Sequence, residues 1–129
     1  MTEAQEQAHH VEIAIDNIEP TQNYFEVENL NPNQYVNNQV PVEVKVLGEG
    51  RYEVVDGHHR LNNAILAKEE MVRCSIVDRE PTRNIQDRTI YACYSRDVSR
   101  DQSRLVRELG EYWQTRGYTL TLRKDPSPY

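Results

Sequence analysis

The residues best suited to chemistry stand in one run of five, Asp56-Gly57-His58-His59-Arg60, where a predicted strand gives way to a predicted helix. The first N–H groups of a helix have no intrahelical partner and its N-terminus is electrically positive, so an anion is attracted there. Gly57 removes a side chain that would keep a phosphate away from the backbone. Arg60 offers a fork of donors that suits phosphate oxygens, and His58 and His59 add donors whose charge depends on pH. The run predicts a phosphate-binding turn.

Three roles are open to the carboxylate of Asp56 at the start of this run. It could hold a magnesium ion, accept a proton from an attacking hydroxyl, or cap the helix. An Asp before Gly is also ordinary helix-start chemistry, and Arg60 can simply pair with Asp56. The adjacent His58 and His59 point about 100 degrees apart on a helix, so their spacing argues against a shared zinc ion.

A hairpin, a helix and a further strand are predicted to position the turn. The hairpin consists of alternating valines over 42–46, a tight Gly-Glu-Gly turn at 48–50 and a returning strand over 52–55. Apolar residues at helical spacing predict an amphipathic helix over 58–68, and a strand follows over 72–77. The succession of strand, helix and strand predicts a βαβ unit with parallel strands. The fold class is therefore α+β with a small mixed sheet.

The segments on either side are less regular. A half-buried strand is predicted over 11–15, and the Asn- and Gln-rich stretch 21–39 is expected to be a long loop with one short helical turn. Beyond Asp78, residues 85–94 are predicted to form a helix. The residues expected to face inward from that helix are Ile85, Thr89, Ile90 and Cys93.

A second C-terminal helix has clearer boundaries. Ser99 and Gln102 form the capping-box pattern, and Gly117 is a natural stop. A last strand is predicted over 118–122. The apolar face of the helix consists of Leu105, Val106, Leu109, Tyr112 and Trp113.

Length and composition favour one domain. The chain has 129 residues, of which 37% are hydrophobic, and no run approaches the roughly 18 apolar residues of a spanning helix. The first residues carry no secretory signal, so we expect a cytoplasmic protein without a membrane partner. The expected organisation is a disordered start over 1–10, a core over 11–78 and, in the same domain, an Arg-rich helical extension with a final short strand over 79–129. Residues 125–128 are expected to be a loose tail.

The two cysteines predict neither a disulfide framework nor a metal site. Cys74 and Cys93 lack the CxxC spacing and the neighbouring ligands of a zinc site. We expect both to be reduced thiols that are buried or half-buried.

The charge is distributed unevenly along the chain. Residues 1–50 hold nine acids and one base, whereas residues 51–129 hold twelve acids and fourteen bases, which can place an anion-binding surface on the second half. The net charge of −6 argues against tight, non-specific binding of duplex DNA. Arg100, Arg104 and Arg107 share one helical face, but Glu108 and Glu111 follow at i+4, which favours a solvated face of weak ion pairs.

The segment around the turn resembles a known superfamily. Residues 52–61, with Pro41-Val42-Glu43-Val44 before them and 72–77 after them, look like the core of the ParB/sulfiredoxin superfamily, over roughly residues 11–78. The resemblance implies a small α+β domain that binds a nucleotide, ATP or CTP, by its phosphates at this turn. Members include chromosome partition proteins, sulfiredoxins, free serine kinases and some nucleases.

Individual positions separate the branches of this superfamily. Sulfiredoxins carry a catalytic Cys where this chain has His58, which argues against sulfinic acid reduction. Asp56 to Arg60 match the turn of free serine kinases fully, but Gln22 stands where those kinases have an acid, and an amide cannot act as a general base at neutral pH. Glu26 or Glu28 could take over if the loop folds back. Partition proteins often have Gln at that place, but the 50 or so residues after Asp78 leave little room for their DNA-reading and dimerisation domains.

The function that these residues predict is magnesium-nucleotide-dependent phosphoryl transfer, as in a kinase, or nucleotide hydrolysis. Gly57, His58, His59 and Arg60 would hold phosphates, and Asp56 would hold Mg2+ or orient the nucleophile, with a small-molecule or protein acceptor. One alternative is a non-catalytic module in which a nucleotide orders the 21–39 loop and switches a partner surface. Another is a ParB-like DNA-binding protein or nuclease, which rests on the resemblance alone.

Overall fold

The computed structural model describes residues 10–33 and 40–125. They include two sheets and two helices described over their full length, which share one hydrophobic core. The expected disorder of residues 1–9 and the expected tail at 126–128 lie outside the described residues, and His10 belongs to the first strand. In the described ranges, neither helix has the length and apolar composition that crossing a bilayer would require.

The first sheet is mixed, as predicted, and has the strand order β1-β6-β4-β5-β2. Its strands, in chain order, are β1 (His10–Ala14), β2 (Ile18–Glu19), β4 (Val42–Gly48), β5 (Arg51–Asp56) and β6 (Met71–Ile76). The predicted hairpin is confirmed as the antiparallel pair of β4 and β5, in which Val44 faces Val54. The helix α1, His58–Leu66, follows β5 and ends two residues before the predicted limit, since Lys68 takes a left-handed conformation with φ 64°.

The orientation predicted for the strands on either side of α1 is wrong. Strand β4 lies between β5 and β6, pairing antiparallel with β5 and parallel with β6, so β5 and β6 run in opposite directions. The parallel partner of β6 is therefore the first strand of the hairpin. The α+β class and the mixed sheet are confirmed.

The second sheet corrects two predictions about loops and helices. Its strands β3 (Tyr24–Glu26), β7 (Thr89–Tyr94) and β8 (Thr119–Lys124) pair in parallel in that order. In the described part of the stretch 21–39, which ends at residue 33, strand β3 corrects the predicted loop, whereas the 3-10 turn at Val27–Asn29 confirms the predicted short helical turn. The helix predicted over 85–94 is wrong. Residues 89–94 form strand β7, and Asp87 and Arg88 directly before it take positive φ values of 52° and 54°, which interrupt a helix over that range.

The second predicted C-terminal helix is confirmed as α2, Arg100–Thr115, which is the one C-terminal helix of the described residues. Ser99 and Gln102 form the complete capping box, in which each side chain bonds the backbone N–H of the other residue. Trp113 and Leu109 are fully buried, and Trp113 packs edge-on against Tyr118. The predicted last strand is β8.

The segment between β6 and β7 crosses from one sheet to the other and fixes the loop that faces α1. Arg83 pairs with the buried carboxylate of Glu53, and Lys45 pairs with Glu80. The carbonyl of Thr21 accepts hydrogen bonds from the backbone N–H groups of residues 84 and 85. The loop after β2 is therefore bonded to the segment between β6 and β7.

Candidate functional site

The turn between β5 and α1 leaves the start of the helix without a side-chain cap. Gly57 is the N-cap residue, buried and left-handed with φ 110°, and makes no side-chain cap hydrogen bond. The helix carries no acid in its first turn. Its first intrahelical bond runs from the Leu61 N–H to the Gly57 carbonyl at 2.9 Å, so the earlier N–H groups have no partner within the helix. The suggestion that Asp56 caps the helix is wrong.

Arg60 folds back across Gly57, where a φ of 110° already favours glycine. A Cβ at Gly57 would lie 2.8 Å from Arg60 Nη2, closer than real Cβ contacts, and 3.1 Å from Nε. Among the described residues, the buried Nε of Arg60 has no hydrogen-bond partner. Arg60 Nη2 lies 3.8 Å from Asp56 Oδ2, an ion pair whose arginine side chain is 24% exposed and whose carboxylate is 68% exposed.

His58 is turned inward and holds the preceding loop. Its Nε2 accepts the backbone N–H bonds of Thr21 and Gln22, both at 3.1 Å. Burial, and then the neighbouring His59, lower the pKa of His58 to about 4, so the ring is neutral at pH 7. A nitrogen that accepts two N–H bonds is not available to donate, so His58 acts through Nε2 on the loop.

Thr21 completes this anchor and was not among the residues that the sequence singled out. It is 3% exposed, and its hydroxyl donates to the Val54 carbonyl at 2.8 Å. Its N–H, hydroxyl and carbonyl thus reach α1, β5 and the 84–85 segment. The sequence feature that could have indicated this role is the position of Thr21 directly after Pro20, where the predicted first strand ends.

His59 points away from His58, as their adjacent positions predict. Its Nε2 lies 3.4 Å from Asn29 Nδ2 at the end of the 3-10 turn. Burial lowers the pKa of His59, and the carboxylate of Glu26 opposes that shift. The structure therefore brings Glu26 into the electrostatic surroundings of the turn, whereas Glu28 accepts a bond from Ser95 at 3.5 Å.

Gln22 reaches the turn through its backbone. Its N–H bonds His58, while its side-chain amide donates to the Tyr24 carbonyl at 2.7 Å. The amide is thus used within its own loop.

Two further side chains that the sequence did not single out hold α1 in place. Asn62 accepts a bond from Trp113 Nε1 at 3.2 Å, and Asn63 accepts one from the Asn31 N–H at 2.8 Å. Both are buried on a helix whose other buried residues are apolar. The sequence feature that could have indicated this role is a pair of adjacent asparagines within an otherwise apolar helical face.

A metal would have few protein ligands at this turn. Within the described ranges no three His, Cys, Asp or Glu side chains come together as a metal site. Mg2+ is commonly bound by one or two carboxylates together with substrate phosphates, and the exposed Asp56 fits that role only together with a phosphate.

Cys74 and Cys93 are both free and buried, as predicted, and burial raises the pKa of Cys74 to about 12.

Solved structures match somewhat more than half of this chain. SbnI from Staphylococcus aureus, truncated at its C-terminus, matches at a TM-score of 0.50 and 22% identity, over 57% of this chain and 32% of that chain. A free serine kinase mutant in complex with AMP matches at a TM-score of 0.48 and 25% identity, over 54% of this chain and 31% of that chain. Chromosome-partitioning protein ParB from Caulobacter crescentus, C-terminally truncated and complexed with CTP-gamma-S, matches at a TM-score of 0.45 and 16% identity, over 55% of this chain and 45% of that chain. No protein-family model and no curated protein matches the sequence.

These likenesses concern the fold. The ParB/sulfiredoxin-like fold predicted from the sequence is confirmed over somewhat more than half of the chain. The chain spans about a third of the SbnI chain and of the free serine kinase chain.

Proposed function

We propose that this protein binds a nucleotide by its phosphates at the Asp56–Arg60 turn and, with Mg2+, transfers or hydrolyses the terminal phosphoryl group. The observation that carries the proposal is the pairing of an uncapped helix N-terminus with the guanidinium of Arg60, whose buried Nε has no partner among the described residues. A phosphate supplies acceptors for both the N–H groups and Arg60. Gly57 supports the proposal because its missing side chain lets the Arg60 guanidinium lie against the backbone of the turn.

The residues of the turn then have separate tasks. Arg60 and the backbone N–H groups bind phosphate oxygens, and His58 fixes the Thr21–Gln22 backbone against the helix. Asp56 would hold Mg2+ together with the nucleotide phosphates, and the metal supplies charge neutralisation when bound. His59, whose pKa the Glu26 carboxylate acts to raise, would exchange a proton with an acceptor hydroxyl.

Thermal unfolding with ATP, ADP, CTP or GTP, each with and without Mg2+, tests the binding half of the proposal. A ligand at one hundred times its Kd stabilises the native state by about 2.7 kcal/mol, so the wild-type Tm should rise by several degrees with at least one nucleotide. Arg60→Ala should lose the rise. Arg100→Ala, an exposed arginine on α2, is the matched control and should keep it. The absence of a rise in the wild type, or an equal rise in both variants, would contradict the proposal.

Product analysis tests the catalytic half. Asp56→Asn should abolish turnover of the nucleotide that binds, whereas Asp97→Asn, an exposed acid outside the turn, should leave it unchanged. Binding without product in the wild type would instead establish the second candidate, a non-catalytic module switched by the nucleotide. That candidate is favoured by Gln22, whose side chain is a neutral amide bonded within its own loop.

A further inference from the structure

A cleft lies at the C-terminal end of α1, the opposite end from the Gly57 turn. It encloses about 550 Å3 between α1, α2, the end of β1 and the strand that follows α1. Ile15, Ile65 and Leu66 form a buried apolar floor, and Met71 is 43% exposed at its side. Pockets of roughly 300–1,000 Å3 with an apolar lining are of the size that holds small organic molecules.

The charged residues of the cleft are mostly acidic. Asp16, Glu69, Glu70 and Glu108 line it, against one base, Lys68. Lys68 pairs with Glu108 at 3.3 Å, and Arg104 pairs with the same carboxylate. Within the described ranges, Asp16, Glu69 and Glu70 form no ion pair. The neutral Tyr112 hydroxyl donates to Asp16 at 2.7 Å and itself accepts a bond from Arg116 at 3.0 Å.

The helix adds to this negative potential. The C-terminus of an α-helix carries a partial negative charge, which basic residues in the last turn usually offset. The last turn of α1 contains no basic residue, and Lys68, two residues beyond the helix, is paired with Glu108. The negative end of the helix dipole and the three carboxylates therefore both attract a cation to this cleft.

We propose that this cleft binds a small organic ammonium ion that has an apolar body. The apolar part would lie on the floor formed by Ile15, Ile65 and Leu66, and the ammonium group would face Asp16, Glu69 and Glu70. The concave shape and the volume fit a single small molecule. The proposal is independent of nucleotide binding, because the two sites lie at opposite ends of α1.

Titration of the 15N-labelled full chain with phenethylamine, a cation at pH 7, tests the proposal. Saturable shifts should appear at the amides of Asp16, Leu66 and Glu69. Neutral 2-phenylethanol, which has the same apolar body, should bind at least tenfold more weakly. The double variant Glu69→Gln/Glu70→Gln should weaken phenethylamine binding about tenfold, since both acids are exposed and their loss should leave the fold intact.

The control is Glu49→Gln/Glu111→Gln, which removes the same charge from exposed positions outside the cleft and should bind like the wild type. Arg60→Ala should also bind like the wild type, which separates this site from the nucleotide site. Equal binding of the amine and the alcohol, unchanged binding by the Glu69/Glu70 variant, or shifts confined to other residues would overturn the proposal.

Discussion

The helices α1 and α2 of the described residues differ in how their N-terminal ends are satisfied. Helix α2 begins with a complete capping box and has Asp101 in its first turn. Helix α1 has neither a side-chain cap nor an acid in its first turn, and neither helix has a base in its last turn. The positive end of the α2 dipole is therefore offset by residues of α2 itself, whereas the start of α1 is left for another anion to offset. This difference is the reason for which we propose α1 as the phosphate-binding helix.

Substitution of Gly57 should disturb the turn most. Gly57→Ala places a side chain at φ 110° and within 2.8 Å of Arg60 Nη2, so we expect a loss of about 1–3 kcal/mol in the free energy of unfolding. The nucleotide-dependent rise in Tm should be lost as well. Chemical denaturation measures the first effect and thermal unfolding the second.

Gly48→Ala is the matched control for that change. Gly48 has open space around its Cα and no positive φ, so the substitution should leave both stability and the nucleotide response near the wild-type values. A Gly57 variant as stable and as responsive as the Gly48 variant would show that the turn needs no glycine.

The anchor formed by His58 should make stability depend on pH. The pKa of His58 is about 4 in the folded protein against about 6.5 when unfolded, so the unfolded chain binds more protons between those values and stability falls as the pH is lowered from 6.5 to 4. We expect the loss due to His58 to be on the order of 3 kcal/mol. This loss is measured by comparing the unfolding free energies of the wild type and His58→Gln across that pH range.

His10→Gln serves as the reference for the His58 variant, because His10 lies on β1 and contacts Arg73, away from α1. The His10 variant should keep the wild-type slope, and the His58 variant should have a shallower one. Identical slopes for all three proteins would mean that His58 does not stay neutral in the fold.

The capping box of α2 should matter for stability alone. Ser99→Ala removes the side chain that accepts the Gln102 N–H bond at 3.1 Å, which should cost about 1 kcal/mol of unfolding free energy. The response to nucleotide should be unchanged. A Ser99 variant that keeps its stability but loses nucleotide binding would reverse the roles assigned to the two helices.

The smallest effect is expected on the exposed face of α2. Arg104→Ala removes a surface ion pair with Glu108, whose atoms are 3.1 Å apart, and such pairs contribute less than about 0.5 kcal/mol. Denaturation in low and high salt should show little difference between variant and wild type. A larger loss, or a loss of nucleotide binding, would give the Arg-rich face a role that its ion pairs do not indicate.

Features encoded by neighbouring residues were predictable from the sequence. The capping box of α2 involves residues three apart, the hairpin needs a glycine turn between alternating valines, and the Asp56–Arg60 turn is one continuous run. Each of these depends on local backbone chemistry, so the periodicity of a single segment was enough to place it.

Features set by distant contacts were not predictable in this way. His58 bonds residues 36 and 37 positions away, and β4 lies between β5 and β6 because of pairing that no single segment encodes. Strand β7 begins at Thr89, directly after the positive φ values at Asp87 and Arg88. Its partners β3 and β8 are remote from it in sequence. The sequence therefore indicated the turn between β5 and α1 but not the loop that His58 holds.

The central claim is tested most directly by a titration in which the backbone amide signals at the starts of both helices are followed. ATP or CTP with Mg2+ is added to the 15N-labelled protein, and the amides of His58, His59 and Arg60 are compared with those of Asp101 and Gln102. We predict large, saturable shifts at the start of α1 and none at the start of α2, with the α1 shifts lost in Arg60→Ala. Saturable shifts at α2 alone, or no shift at either helix at millimolar nucleotide, would contradict the assignment of α1 as the phosphate-binding helix.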